Sequence, residues 1–155
     1  SLMKHLELRD VQFAELTLHT GVGNFREIEV EDLTKHKTDS EEMEITQEAC
    51  DIINAAKAER HKIFAVGTTS LKALETSVTI SGQINPYKGW TNKFIFPHYD
   101  FNTADALITN FHLPKSSMMM EVAAFAGYEL LMKAYKTAVA EKYRFFTYGD
   151  AMLIL

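Results

Sequence analysis

Twice in this chain a short apolar run stops at a polar, turn-forming segment and a helical period begins. Ile63-Phe64-Ala65-Val66 runs into Gly67-Thr68-Thr69-Ser70, after which Leu71, Leu74 and Val78 recur on one side. Ala106-Leu107-Ile108 runs into Thr109-Asn110-Phe111-His112-Leu113-Pro114. Met119, Val122, Ala123 and Ala126 then share a face, which Leu130 extends. An apolar run this short suits a buried strand, and the spacing that follows it is that of an amphipathic helix. Strands alternating with helices predict an α/β fold, layered, with a largely parallel sheet flanked by helices.

The rest of the chain fills out that frame. Phe13 to His19 alternates, with Ala14, Leu16 and Leu18 on one face and Glu15, Thr17 and His19 on the other, the period of a half-buried strand. Thr20 to Asn24 follows as a turn-rich loop. Val30 to Glu44 is polar and charged and reads as loop with a short helical turn. Thr46 can cap a helix carrying Ala49, Ile52, Ile53 and Ala56 and ending near Arg60. Ser81 to Trp90 reads as loop, with Asn85-Pro86 as a turn signal, and Phe94-Ile95-Phe96 as a strand stopped by Pro97. A last helix is expected over Ala134–Lys142, and the chain closes on an aromatic, then strand-like, segment.

Composition narrows the function. The 155 residues are enough for one domain with a core. No run of about 18 apolar residues is present, so no membrane span is expected. Ser1-Leu2-Met3 opens a segment without the apolar core of a signal peptide. A lone cysteine, Cys50, excludes an internal disulfide and a Cys-rich metal site, and fits a reducing cytoplasm. A net charge of −5 argues against sequence-blind nucleic-acid binding. It leaves room for a local basic face from Arg60, His61 and Lys62, with Lys133, Lys136, Lys142 and Arg144.

In open α/β sheets ligands gather at the carboxyl ends of strands. Three loops qualify here: His19 to Phe25, Gly67 to Ser70, and Asn110 to Ser117. Gly67 allows close backbone approach, and the hydroxyls and free N–H groups after it suit a carboxylate or a ribose hydroxyl. The pattern is not a P-loop, and no G-x-S-x-G occurs. His36 and Glu41, with Asp39 and Glu42, lack the spacing of a metal site, and no metal is expected. The three methionines, Met118 to Met120, read as core filler. The residues alone therefore reach an α/β domain with a polar site at strand ends, for a small polar ligand.

Six motifs taken together carry a resemblance: LTLHTGVGNF (Leu16–Phe25), VGTTSLKALE (Val66–Glu75), Gly89-Trp90, DALITNFHLP (Asp105–Pro114), AAFAGYE (Ala123–Glu129) and YRFFTYGDAMLI (Tyr143–Ile154). In this order they resemble the C-terminal part of the S-adenosylmethionine:tRNA ribosyltransferase-isomerases of queuosine biosynthesis. The resemblance implies a reaction in which the ribosyl part of S-adenosylmethionine, a substrate rather than a resident cofactor, is transferred to the aminomethyl-deazaguanine wobble base of tRNA and isomerised. The product is epoxyqueuosine, and adenine and methionine are released. It implies polar roles for His19, Glu41 and His112 in catalysis. Gly21, Gly23, Phe25, Gly67, Thr68, Thr69, Ser70, Asn110 and Tyr148 are implied in substrate binding, Phe25 and Tyr148 as stacking groups. His36, Glu75, Pro114, Ser116, Arg144, Gly149 and Asp150 also match motif positions.

Departures accompany the match. Asp39 stands where the family has a second histidine, and Glu42 where an aromatic residue often follows the glutamate. Lys72 stands where arginine is usual, His98 where glycine is common and Asn102 where a lysine is. Glu121 occupies a position that is usually apolar. These favour an alternative expectation: a divergent, non-catalytic module that binds S-adenosylmethionine or tRNA. Residues 1–155 are expected to be the C-terminal portion of the catalytic domain. The N-terminal half, with its inserted β-barrel domain, lies outside this chain. That half is an expected partner, the chain alone is expected to be inactive, and a bared apolar surface would let it self-associate.

Overall fold

The computed structural model describes residues 1–155. Five helices and six strands form in the order α1 (Leu2–Glu7), β1 (Leu16–Leu18), β2 (Glu41–Ile45), α2 (Gln47–Ala58), β3 (Phe64–Val66), α3 (Thr68–Ser77), β4 (Tyr87–Thr91), β5 (Ala106–Asn110), α4 (Ser117–Ala126), α5 (Tyr128–Ala140) and β6 (Ala151–Ile154). Helices and sheets are layered, as the alternation predicts. The sheet itself corrects the expectation. Two three-stranded sheets replace one, in the orders β1-β2-β4 and β3-β5-β6. Only β3 and β5 pair in parallel; the other three ladders are antiparallel. The two strand–loop–helix repeats build the single parallel pair, and antiparallel strands extend the fold on either side.

Two strands were hidden in polar sequence. β2 reads Glu-Glu-Met-Glu-Ile, yet it alternates strictly: Glu41, Met43 and Ile45 are buried while Glu42 is exposed. Only the two apolar residues advertise the period. β4 falls in the segment that reads as loop, because Lys88 and Gly89 dilute it. Its ladder to β2 pairs Glu41 with Thr91 and Ile45 with Tyr87. Phe94-Ile95-Phe96, which reads as a strand, forms none. Ile95 is buried, and Phe94 packs on Phe96 with ring centroids 5.1 Å apart, so side-chain contacts rather than a ladder hold this strap.

The helices follow the periodicity more closely. Thr46 caps α2 by accepting the Ala49 N–H at 3.2 Å, and Cys50 is fully buried on it. The long C-terminal helical stretch divides at Gly127, not between Leu130 and Ala134 as its spacing suggests. Gly127 has φ +82°, ends α4 and starts α5. A side chain there would be strained, so glycine is what permits the break.

One core serves both sheets. Met43 and Ile45 from β2, Leu71 and Leu74 from α3, Leu107 from β5, Val122 from α4 and Leu131 from α5 meet in it. Each fully buried aliphatic side chain contributes about 1.5–3 kcal/mol. In β3-β5-β6 the core face carries Ala65, Leu107 and Thr109. The opposite face is apolar too, but open: Phe64, Val66 and Leu153 are 49%, 64% and 57% exposed. The β3 run is thus buried on one side only, against the two-sided burial its sequence predicts.

Candidate functional site

β2's alternation aims Glu41 inward, beneath the first loop. Its Oε1 accepts the Gly21 N–H at 2.8 Å and the Asn24 Nδ2 amide at 2.7 Å. Its Oε2 pairs with the Lys72 ammonium of α3, and both side chains are buried. Two isolated buried charges would be costly; pairing plus two further hydrogen bonds makes the arrangement tolerable. One turn along α3, Glu75 collects the neighbouring strap. Its Oε1 accepts from the N–H groups of Asn102 and Thr103 at 3.0 Å and from the Thr103 hydroxyl at 2.6 Å; its Oε2 accepts from the Tyr99 hydroxyl at 3.0 Å. Burial beside that carboxylate pushes the Tyr99 phenol up. Lys93 donates to the Tyr99 oxygen at 3.0 Å.

Across from Lys72, α4 buries Glu121. Its Oε1 has no hydrogen-bond partner, the one buried side-chain polar atom of the chain in that state. Burial holds its carboxyl well above the usual carboxylate range; Lys72 opposes, and Glu41 and Glu75 act with burial.

The third loop leaves β5 at Asn110. The Asn110 amide donates to the Asp150 carbonyl at 3.1 Å, tying this loop to the C-terminal motif. His112 is half-buried. Its Nε2 meets the Thr109 hydroxyl at 2.9 Å, and its backbone N–H donates to the Tyr135 hydroxyl at 2.7 Å. Burial lowers its pKa to about 4, so the ring is neutral near pH 7. Ser116 caps α4 by accepting from the Met119 N–H at 3.2 Å. The Ser117 hydroxyl donates to Asn24 Oδ1 at 3.4 Å and so joins the third loop to the first.

The three loops therefore do converge. Asn24, Thr68, Thr69, Lys72, Ser117 and Glu121 line one cleft, roofed by the strap from Lys93 to Ile95. Its enclosed part measures about 10 Å³, space for one water-sized group.

The candidate residues divide. Thr68 and Thr69 line the cleft. Gly21 reaches its margin through Glu41. Gly67, with φ +93°, turns the chain from β3 into α3. Gly23 packs against the Asp39 carboxylate so closely that a β-carbon would collide with it. Ser70 donates back to the Val66 carbonyl at 2.8 Å instead of facing the cleft. Glu41 is bound up in its ion pair beneath the loop. His19, Phe25, Asn110 and Tyr148 are exposed, Phe25 by 55% and Tyr148 by 79%. His36 packs tilted against Phe94, ring centroids 4.8 Å apart, and does not join Glu41. Arg144 and Asp150 pair with each other at 2.9 Å. Of the basic face, Arg60, His61 and Lys62 line an open groove with Lys57.

The sequence marks Lys72 and Glu121 only as departures, includes Asn24 and Ser117 only as members of candidate loops, and gives no sign of Lys93. A signal was present for two of them. Lys72 follows Leu71, and Glu121 precedes Val122, so each charge sits inside an apolar helical stretch. A charge there is buried only with a partner or a purpose.

The model of a family described as "Queuosine biosynthesis protein" matches residues 1–154. An S-adenosylmethionine:tRNA ribosyltransferase-isomerase from Flavobacterium psychrophilum is 60% identical over 99% of this chain and 44% of its own length. One from Parabacteroides distasonis is 59% identical over the same shares. The crystal structure of S-adenosylmethionine tRNA ribosyltransferase from Thermotoga maritima superposes with a TM-score of 0.81, at 40% identity, over 99% of this chain and 48% of that one. The chain thus spans less than half the length of these relatives.

Proposed function

The chain belongs to the family of queuosine biosynthesis proteins, and from that premise we propose that it forms one wall of an S-adenosylmethionine:tRNA ribosyltransferase-isomerase active site. The convergence of the three loops on one cleft, locked by Glu41 to Gly21, Asn24 and Lys72, carries the reading. The names of its relatives supply the substrates, S-adenosylmethionine and tRNA. We infer that the remainder of the site comes from a further segment, the partner of these residues; the greater length of the relatives supports this.

The proposed reaction moves the ribosyl part of S-adenosylmethionine onto the aminomethyl-deazaguanine wobble base and isomerises it, giving epoxyqueuosine. It needs a base for the amine, or for the acidic carbon beside sulfonium, and an acid for adenine departure. His112 suits the first role. It is neutral near pH 7, and the Thr109 hydroxyl orients its ring. Glu41, already paired, acts as a positioning residue that shapes the first loop. Exposed Phe25 and Tyr148 can stack on a base, and His19 stands free at the end of β1. The Lys57–Lys62 groove offers cations to tRNA phosphates.

The test joins this chain to the part of the Flavobacterium psychrophilum relative that it does not cover. The joined protein is incubated with S-adenosylmethionine and precursor tRNA, and the wobble nucleoside is read by mass spectrometry. Epoxyqueuosine is expected from the joined protein and none from the 155 residues alone. A folded joined protein that binds S-adenosylmethionine yet yields no product would establish the non-catalytic module instead.

A further inference from the structure

Two helices begin at the same cleft. The backbone N–H groups of Thr68, Thr69 and Ser70 open α3 without acceptors, because the first bond of that helix is Leu71 N–H to the Gly67 carbonyl. Ser117 and Met118 open α4 in the same condition: Ser116 serves only the N–H groups of Met119 and Met120. Thr68, Thr69, Ser117 and Met118 all line the cleft. Each helix start brings unsatisfied donors and the positive end of a helix dipole. Helix starts alone are commonplace and would prove nothing.

Glu121 makes the difference. It is 5% exposed, lines the same cleft, and leaves Oε1 without a partner. Charge arithmetic around it is unambiguous. The one buried cation, Lys72, is claimed by Glu41, whose other oxygen already takes two donors. Glu75 is satisfied by four donors; Glu121, the third buried carboxylate, has neither a counter-ion of its own nor a donor, so it keeps its proton. A protonated carboxyl is a hydrogen-bond donor. The helix N–H groups and the Glu121 O–H then all belong to residues that line one small space.

We propose that this cleft is an oxyanion site, in which the N–H groups of Thr68, Thr69, Ser117 and Met118 and the Glu121 carboxyl together hold a carboxylate or phosphate group. The enclosed space admits the oxygen end of such a group and not a whole nucleoside. Its natural source rests on the proposed function: the amino-acid carboxylate of S-adenosylmethionine, or a tRNA phosphodiester.

Binding is measured by calorimetry on the 155-residue chain at constant ionic strength. The probes are L-methionine, its methyl ester, and sulfate as a phosphodiester stand-in of constant charge. Saturable binding of methionine but not the ester assigns a carboxylate; saturable binding of sulfate assigns a phosphate. Glu121→Leu is expected to weaken binding at least tenfold, and Glu121→Gln, which keeps a donor, to retain it. In the unaltered chain, affinity falls as pH rises and Glu121 ionises against Glu41 of β2, Lys72 and Glu75 of α3 and Lys93 of the strap. Glu121→Gln removes that slope. Absence of saturable binding by either anion overturns the proposal, as does unaltered affinity in a Glu121→Leu chain whose circular dichroism is native. A failed tRNA-modification assay leaves this result untouched, and the two readings fall separately.

Discussion

Lys72 and His112 show how much a single buried titratable group can decide. Replacing Lys72 by methionine keeps the volume but strands Glu41, whose carboxylate is buried with it. Loss of about 3–5 kcal/mol is expected in urea unfolding at pH 7.5, with most of it recovered in the Glu41→Gln, Lys72→Met double variant. His112 acts through pH. Its pKa in the folded chain, about 4, lies below the ordinary value of 6.5, so the unfolded chain binds the proton first. Stability is intact above about pH 6.5 and declines as pH falls toward 4, by roughly 3 kcal/mol. Unfolding measured at pH 7.5 and 4.5 in the native chain and in His112→Gln checks this; the variant should lose that part of the slope. Glu121 runs the other way: raised above its ordinary value, it costs stability as pH rises. Glu121→Gln should therefore raise the melting temperature at pH 8 more than at pH 5.

At the scale of elements, the breaks are as informative as the runs. Gly127 ends α4 and opens α5 at a positive φ. Gly127→Ala is expected to destabilise the chain by about 1 kcal/mol, read by thermal unfolding, because alanine meets the strain that glycine avoids. An unbroken helix-former at this position would be indifferent if the two helices were one. β2 and β4 explain why strands escape a reading by pattern. Three glutamates in β2 look like a solvated segment, yet Glu41 is buried by an ion pair with a helix that comes later in the chain. Phe94 to Phe96 errs in the opposite sense: strand-like residues without a neighbouring strand make a strap.

For the whole molecule, the open apolar face of β3-β5-β6 is the outstanding feature. Phe64, Val66 and Leu153 lie exposed on it, and the chain spans 44% of the length of its curated relatives. Apolar sheet faces are seldom left bare. The 155-residue chain is therefore expected to self-associate at tens of micromolar in sedimentation velocity. Val66→Lys should shift it toward monomer with little change in its unfolding midpoint, because most of that side chain is exposed. Addition of the segment that completes the family length should also abolish association if that segment covers the face. No helix here is long and apolar enough to cross a membrane.

By itself the sequence determined the layered α/β character, the cap at Thr46, the helix that carries Ala49 and Ile53, and the three loops that meet at the cleft. Those features are local: period, cap and turn chemistry are written in neighbouring residues. Its motifs also sufficed to identify the family. Tertiary structure alone decided that one ladder of four is parallel, that Glu41 is locked to Lys72, that Glu121 is left without a partner, and that His112 is neutral. Each depends on groups tens of residues apart. Strand order, desolvation and charge pairing are properties of what the chain brings together, and no window of sequence contains them.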